Sequence, residues 1–173
     1  MITIWVILAL LGLVGWMVYL FNTLVSLSNH ADAAWAQIDS QLARRYELVA
    51  RLLDLVKTSQ AAAGPAQEEL AAARAAAMNA YTPAEKSQAE PPLAAGITTV
   101  LAVAHSLPQL TTNEELLQLQ HTLADIEDYL NGARRVYNAL VQDLNARSTS
   151  VPNRFLASLF GVEPRELYQP AQT

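Results

Sequence analysis

The sequence predicts an all-α fold, in which an N-terminal transmembrane helix continues into an elongated antiparallel four-helix bundle. Residues 2–21 carry no charge, residues 17–63 contain neither glycine nor proline, and apolar residues recur every three or four positions late in the chain. The 52% hydrophobic content lies largely in the first segment and in alanine, a strong helix former. We therefore predict an anchor at residues 1–21, a bundle at residues 22–150 and an amphipathic tail at residues 151–173.

Residues 2–21 have the length and composition of a membrane-spanning helix. At about 1.5 Å per residue, such a run covers a hydrocarbon core about 30 Å thick. Trp5, Trp16 and Tyr19 lie near its ends, where amphipathic rings prefer the membrane interface. A cleaved signal peptide would have a basic residue before the apolar core and small residues at its end, and both are missing here. We expect a retained anchor.

The distribution of basic residues predicts an external N-terminus and a cytoplasmic C-terminal domain. The first basic residues after the span are Arg44, Arg45, Arg51 and Lys57, and only the amino terminus is basic on the other side.

The first half of the soluble part is predicted to form two helices. The first continues from the anchor towards Gly64, with an apolar face made of Trp35, Ile38, Leu42, Tyr46, Val49, Leu53 and Val56. Pro65 then opens an alanine-rich helix that extends to about Tyr81.

Two capping boxes mark the remaining helices. Thr82 to Glu85 starts the third helix, which we expect Glu90-Pro91-Pro92 to interrupt before it resumes and ends at Pro108. Thr112 to Glu115 starts the last helix, and its apolar stripe is either a bundle core or a coiled coil between subunits. The stripe consists of Leu116, Leu119, Leu123, Ile126, Leu130, Ala133, Tyr137, Leu140 and Leu144.

A short apolar segment follows Pro152, with Gly161 as its expected C-terminal cap. Its apolar residues are Phe155, Leu156, Leu159 and Phe160. Two interpretations remain open: a hook that packs on the first helix of the bundle, or an interfacial helix that inserts among lipid headgroups.

The sequence contains no recognisable catalytic or cofactor-binding motif. Gly-rich phosphate loops, nucleophile elbows and Glu-x-x-His ligand sets are absent, and the chain has no cysteine. His121 and Asp125 are four residues apart, but two ligands make a weak metal site. A net charge of -5 disfavours nucleic acid as a partner. We predict no enzymatic activity, no cofactor and no metal.

Charged residues on the first and last helices are candidates for interhelical ion pairs. Asp39, Arg44 and Arg45 would face Glu127, Arg134 and Arg135 and fix the register of the two helices, although a solvated surface is an equally good interpretation.

Several motifs closely resemble the LemA family of bacterial membrane proteins. They are residues 21–25, residues 34–39, Gln41-Leu42, Arg44-Arg45-Tyr46, Leu48-Val49, Leu52 and Val56-Lys57, and later Glu127, Ala133-Arg134-Arg135, Tyr137-Asn138, Val141, Asn145, Pro152 and residues 159–161. The resemblance implies a single anchor in the bacterial inner (cytoplasmic) membrane, a four-helix antiparallel domain and no established enzymatic activity. Residues 61–65 depart from the family pattern.

These observations predict a non-enzymatic, membrane-anchored scaffold or assembly protein of the LemA type that self-associates. The alternative is a membrane-remodelling protein that uses its C-terminal amphipathic segment. The expected partners are the lipid bilayer, a second copy of the chain and other membrane proteins. The candidate interaction residues are Trp35, Asp39, Arg44, Arg45, Arg134, Arg135, Tyr137, Asn138, Phe155 and Phe160.

Overall fold

A computed structural model describes residues 2–59, 64–150 and 153–170, apart from the side chains of Asn153, Leu156, Leu159 and Phe160. These residues form helices and no strand, which confirms the all-α class and the long N-terminal helix. The helices are α1 (Ile2–Thr58), α2 (Gly64–Met78), α3 (Pro83–Ser106), α4 (Pro108–Thr111), α5 (Glu114–Thr149) and α6 (Asn153–Phe160).

The chain divides into two compact units. The first consists of Met1–Trp35 and Tyr137–Arg165, and the second of Ala36–Val136 and Glu166–Thr173. This division describes packing, so the anchor, bundle and tail boundaries drawn from the sequence stay predictions.

The second unit is a four-helix bundle with alternating helix directions. Arg74 on α2 contacts Tyr46 on α1, and Lys86 on α3 contacts Asp39 on α1. Gln109, in α4, bonds Ser59 just after α1. Tyr129 on α5 bonds Gln37 on α1, so that α5 runs back along the first helix. The order is therefore up-down-up-down.

The core of this unit follows positions spaced alternately by three and four residues. On α5, the predicted residues Leu116, Leu119, Leu123, Ile126 and Leu130 are all buried. On α1 the buried apolar residues are Ile38, Leu42, Tyr46, Val49, Leu52 and Val56. The prediction of Leu53 was wrong, since Leu52 continues the spacing and is buried while Leu53 is half-buried.

The start of α3 is the predicted capping box. The Thr82 hydroxyl accepts a hydrogen bond from the Glu85 amide at 3.1 Å, and the Glu85 carboxylate accepts from the amides of Tyr81 and Thr82. These hydrogen bonds from two backbone amides hold the pKa of Glu85 below its usual value.

Two other helix predictions were wrong. No break occurs at Pro91 and Pro92, because α3 runs through both. A proline inside a helix costs one backbone hydrogen bond and a ring clash, and we attribute its tolerance here to the tertiary contacts of the buried residues around it.

The predicted box at Thr112 is replaced by a cap at Asn113, whose side-chain oxygen accepts from the Leu116 amide at 3.1 Å. Asn113 directly precedes the first helical residue and thus holds the N-cap position.

The first unit contains the apolar run and a smaller core. Residues 2–19 are all exposed, whereas Leu24, Ala31, Tyr137, Val141 and Leu144 are buried. The predicted cap after α6 is confirmed: Gly161 has φ 67° and the Val162 amide donates to the Ala157 carbonyl at 2.9 Å. This left-handed glycine with a six-residue hydrogen bond is a Schellman ending. Pro152 lies outside the described residues.

Candidate functional site: a buried charge cluster

Arg45 lies at the centre of the second unit and pairs with two carboxylates. Its Nη1 is 3.1 Å from Glu90 Oε2 and 2.8 Å from Glu127 Oε2. The Arg45 and Glu90 side chains are 8% and 4% exposed, while Glu127 is 48% exposed. One guanidinium therefore ties α1 to both α3 and α5, through one buried and one half-exposed pair.

Tyr46 completes the environment of Glu90. Its hydroxyl donates to Glu90 Oε1 at 2.6 Å, so that each oxygen of this carboxylate has its own donor. The Tyr46 carbonyl accepts from Arg74 Nε at 2.7 Å, which links α2 to the same turn of α1. All four bundle helices thus meet at residues 45 and 46.

A second ion pair lies one helical turn away. Lys86 Nζ is 2.9 Å from Asp39 Oδ1 and 5.6 Å from the centre of the Tyr46 ring. The Lys86 side chain is 8% exposed and Asp39 is 54% exposed. The lysine stem is therefore buried, while its charge is balanced by a carboxylate at the surface and by the face of an aromatic ring.

Burial dominates the protonation of this cluster. The pKa of Glu90 is raised because its removal from water outweighs the opposing effects of the Tyr46 hydroxyl and Arg45. The pKa values of Tyr46 and Tyr168 are also raised, first by burial and then by the nearby Glu90 carboxylate. Both phenols therefore stay protonated at neutral pH.

A cavity of about 260 Å³ lies against the cluster. Arg45, Glu90, Glu127, Asn131 and Arg134 contribute its polar wall, and Pro91, Ala94, Leu130, Tyr168 and Pro170 contribute the remainder. The wall combines two guanidinium groups with two carboxylates, so its formal charges balance.

The C-terminal segment covers one side of this cavity. Tyr168 is 3% exposed, and the Gln169 amide donates to Ser87 Oγ at 2.8 Å. The Ala84 amide donates to Glu166 Oε2 at 3.4 Å. Residues 166–170 therefore belong to the second unit and hold the N-terminal half of α3.

The matching of charge with charge favours a structural role for the cluster. A buried ion pair adds little net stability compared with apolar residues, but breaking it is costly, and it can specify register. Arg45 Nε is buried without a hydrogen-bond partner in the described chain. No group of three His, Asp or Glu residues is placed to hold a metal ion within the same residues.

The model of the LemA family matches residues 34–173. The chain belongs to the LemA family. A comparison with curated proteins gave no match. The matched region of this LemA protein begins beyond the apolar run and contains every residue of the charge cluster.

The structure brings together some of the residues proposed for interaction in this LemA protein. Arg45 pairs with Glu127, as predicted for the first and last helices, and Arg134 lines the adjoining cavity. Asp39 pairs with Lys86 of α3 instead of a residue of α5. Arg44 and Arg135 are exposed.

The other proposed interaction residues lie in the first unit. Trp35 and Tyr137 have ring centroids 5.3 Å apart, tilted by 45°. Asn138 is half-buried, Phe155 is 73% exposed, and the side chain of Phe160 lies outside the described part. Their role in binding a partner stays a prediction.

Sequence reasoning missed Lys86, Glu90 and Tyr168. A signal existed for the first two, since buried positions on α3 are Lys86, Glu90, Leu93, Ile97, Val100 and Ala104, which alternate spacings of four and three. Charged residues in such a seam indicate buried partners. Tyr168 lies outside any helix, so helical periodicity gave no signal for it.

Sequence reasoning also missed a polar contact in the first unit, in which Asn145 and α1 hold Arg165. The Asn145 side chain donates to the Arg165 carbonyl and accepts from the Arg165 amide, both at 2.8 Å. The Arg165 guanidinium bonds Asp32 and donates to Ser28 Oγ at 2.9 Å. Residue 165 is therefore held by both α1 and α5.

Proposed function

We propose that this protein is a non-enzymatic, membrane-anchored scaffold that self-associates. The observation that carries the proposal is α1, which holds the exposed apolar residues 2–19 and also supplies core residues of both units. Soluble proteins rarely expose a continuous apolar surface of this extent, and a single helix of this length and composition is suited to a bilayer. It is the one candidate span in the described chain.

The use of the charged residues supports a scaffold over an enzyme. Two ion pairs, Arg45 with Glu90 and Lys86 with Asp39, join α1 to α3 and stabilise one register of the bundle. Catalytic groups, by contrast, are usually arranged towards a substrate.

Two surfaces support self-association. Tyr129, Gly132 and Val136 share one face of α5, where the tyrosine and valine are 45% and 58% exposed. Gly12 and Gly15 lie in the apolar run with no heavy atom within 4 Å of an added Cβ, so a second helix can approach closely. Confinement to a membrane raises the effective concentration of such surfaces.

Light scattering of the full chain in mild detergent tests self-association, and we expect a protein mass that is a multiple of 18.8 kDa. Val136→Arg should lower this mass, and Leu117→Arg is the matched control because Leu117 is exposed elsewhere on α5. A wild-type monomer at every concentration would refute self-association. Extraction of the chain from membranes by alkaline carbonate would refute anchoring.

A labelling experiment determines on which side of the membrane the N-terminus and the helical domain lie. The chain has no cysteine, so Thr3→Cys and Gln118→Cys each introduce a single thiol. With an external N-terminus in the bacterial inner membrane, an impermeant thiol reagent added outside modifies the first variant and leaves the second unmodified. The opposite pattern would reverse the orientation.

Phe155 favours membrane remodelling as a second candidate function, since it is 73% exposed on the short helix α6. An exposed aromatic residue beside Arg154 suits the headgroup region of a bilayer. Electron microscopy of vesicles containing the full chain provides the test. If Phe155→Ser leaves vesicle shape unchanged relative to wild type, this second candidate is wrong.

A further inference from the structure

A second cavity, of about 370 Å³, lies in the first unit at the C-terminal end of the apolar run. Tyr19, Asn22, Ser26 and His30 of α1 contribute to its wall, together with Asp143 and Arg147 of α5. The cluster around Arg45 and the predicted self-association surfaces do not use these residues.

The position of this cavity along α1 places it at the level of lipid headgroups if residues 2–21 span the bilayer, an assumption that rests on the proposed function. Asn22 and Ser26 follow the apolar run by one and five residues, which is at most about 8 Å along a helix. The headgroup layer adds roughly 5–8 Å to each side of the hydrocarbon core. The part of the cavity lined by Asn22 and Ser26 therefore lies at the height of the headgroups rather than among acyl chains.

The cavity wall presents a positive and a negative group side by side. Arg147 Nε donates to Asp143 Oδ1 at 2.7 Å, and the two side chains are 49% and 46% exposed. This bond uses one of the five N–H donors of the guanidinium, and the carboxylate has capacity for further donors. Both charges are thus available to a ligand that has charges of both signs.

His30 adds an acceptor to the negative side. Its Nδ1 is 2.7 Å from the Ser26 carbonyl oxygen, and a carbonyl can only accept, so the proton lies on Nδ1. In the neutral ring, Nε2 is then an acceptor. The Asn22 amide and the Ser26 hydroxyl can donate to an anion.

We propose that this cavity binds the headgroup of a zwitterionic phospholipid that has a primary ammonium, such as phosphatidylethanolamine. The phosphate accepts hydrogen bonds from Arg147 and from Asn22 or Ser26, and the ammonium donates to Asp143 and His30 Nε2. An anionic headgroup without an ammonium leaves Asp143 opposite a like charge. A choline headgroup has no N–H donor for the carboxylate.

Native mass spectrometry of the delipidated full chain in detergent tests the proposal. The protein is titrated with phosphatidylethanolamine, phosphatidylcholine and phosphatidylglycerol that share the same acyl chains. We expect the ethanolamine lipid to bind about tenfold more tightly than either of the others, since a hydrogen bond between charged groups contributes about this factor.

Two variants and two matched controls locate the site. Arg147→Gln should weaken binding of the ethanolamine lipid about tenfold, and Asp143→Asn should remove its advantage over phosphatidylglycerol. Arg135→Gln and Asp128→Asn make the same chemical changes at exposed positions of α5 in the second unit and should leave binding unchanged.

Equal binding of the three lipids, or equal losses in the variants and in the controls, would overturn the proposal. Displacement of the lipid by an equal concentration of inorganic phosphate would assign the site to a phosphate ion instead and would also overturn it. Membrane anchoring is tested separately. It predicts that wild type and all four variants stay in membranes after carbonate treatment, and their release would refute it. Loss of headgroup preference with full membrane retention refutes only the lipid site.

Discussion

Replacing Glu90 with alanine removes the buried carboxylate that joins Arg45 to Tyr46. The Tyr46 hydroxyl, now at 2.6 Å, then loses its acceptor, and Arg45 Nη1, now at 3.1 Å, keeps only the half-exposed Glu127 as a partner. Each unsatisfied buried donor costs about 1–3 kcal/mol. Relief from burying the carboxylate offsets part of this cost, so we expect the free energy of unfolding to fall by about 3 kcal/mol.

Glu127→Ala is the matched control, because Glu127 pairs with the same Arg45 atom at a shorter distance, 2.8 Å. Its side chain is 48% exposed, compared with 4% for Glu90. Exposed pairs contribute about 0–1 kcal/mol, so burial rather than distance should decide the order of the two effects.

Thermal unfolding of the full chain in one detergent, followed by circular dichroism at a helix band, measures both variants. A loss of about 3 kcal/mol corresponds to a Tm decrease of roughly 6–12 °C in a chain of this size. We expect that decrease for Glu90→Ala and a much smaller one for Glu127→Ala. An equal or larger decrease for Glu127→Ala would refute the assignment of Glu90 as the principal partner of Arg45.

Three further predictions follow from other contacts. Because burial raises the pKa of Glu90 above 4.5, its contribution to stability is fully present below that pH and is lost as pH rises through the raised pKa. In urea unfolding, wild type should therefore lose stability relative to Glu90→Gln as pH rises. A difference in the free energy of unfolding that stays constant with pH would contradict the raised pKa of Glu90. Gly96→Val should lower stability by about 1–3 kcal/mol in the same assay, since an added Cβ already meets a side-chain atom of Leu70 at 3.1 Å, and unchanged stability would contradict this close packing. Asn145→Ala should speed tryptic cleavage after Arg165, whose backbone it binds twice, and unchanged cleavage would argue against this contact.

The sequence predicted those elements that local rules determine. The Thr82 box, the Gly161 cap and the seam of α5 follow from short-range spacing, and all three are present, except that in the seam Ala133 and Leu140 are only half-buried and Val141 is buried instead of Leu140. The exception was Asn113, where two adjacent residues could both serve as caps and the sequence favoured Thr112 through its spacing to Glu115.

Tertiary contacts explain what local rules missed. Proline at 91 and 92 is a strong local signal for a helix break, yet α3 continues because Glu90 and Leu93 on either side are buried against other helices. For Arg45 the sequence left open an ion pair with the last helix or a solvated surface, and it did not indicate a partner on α3, although Arg45 continues the alternating spacing from Leu42 to Val49. Its buried partner lies 45 residues away, a distance at which periodicity within one helix gives no information.

The part of the chain that completes the second unit is synthesised after all of its helices. Tyr168 is buried beside a cavity whose wall includes Arg45, more than one hundred residues earlier in the chain. Contacts between such distant positions form slowly, because a long loop must close before they contribute. During synthesis, this side of the bundle core therefore stays open until Tyr168 emerges from the ribosome. During that interval the open cavity is accessible to chaperones or to the same segment of a neighbouring nascent chain.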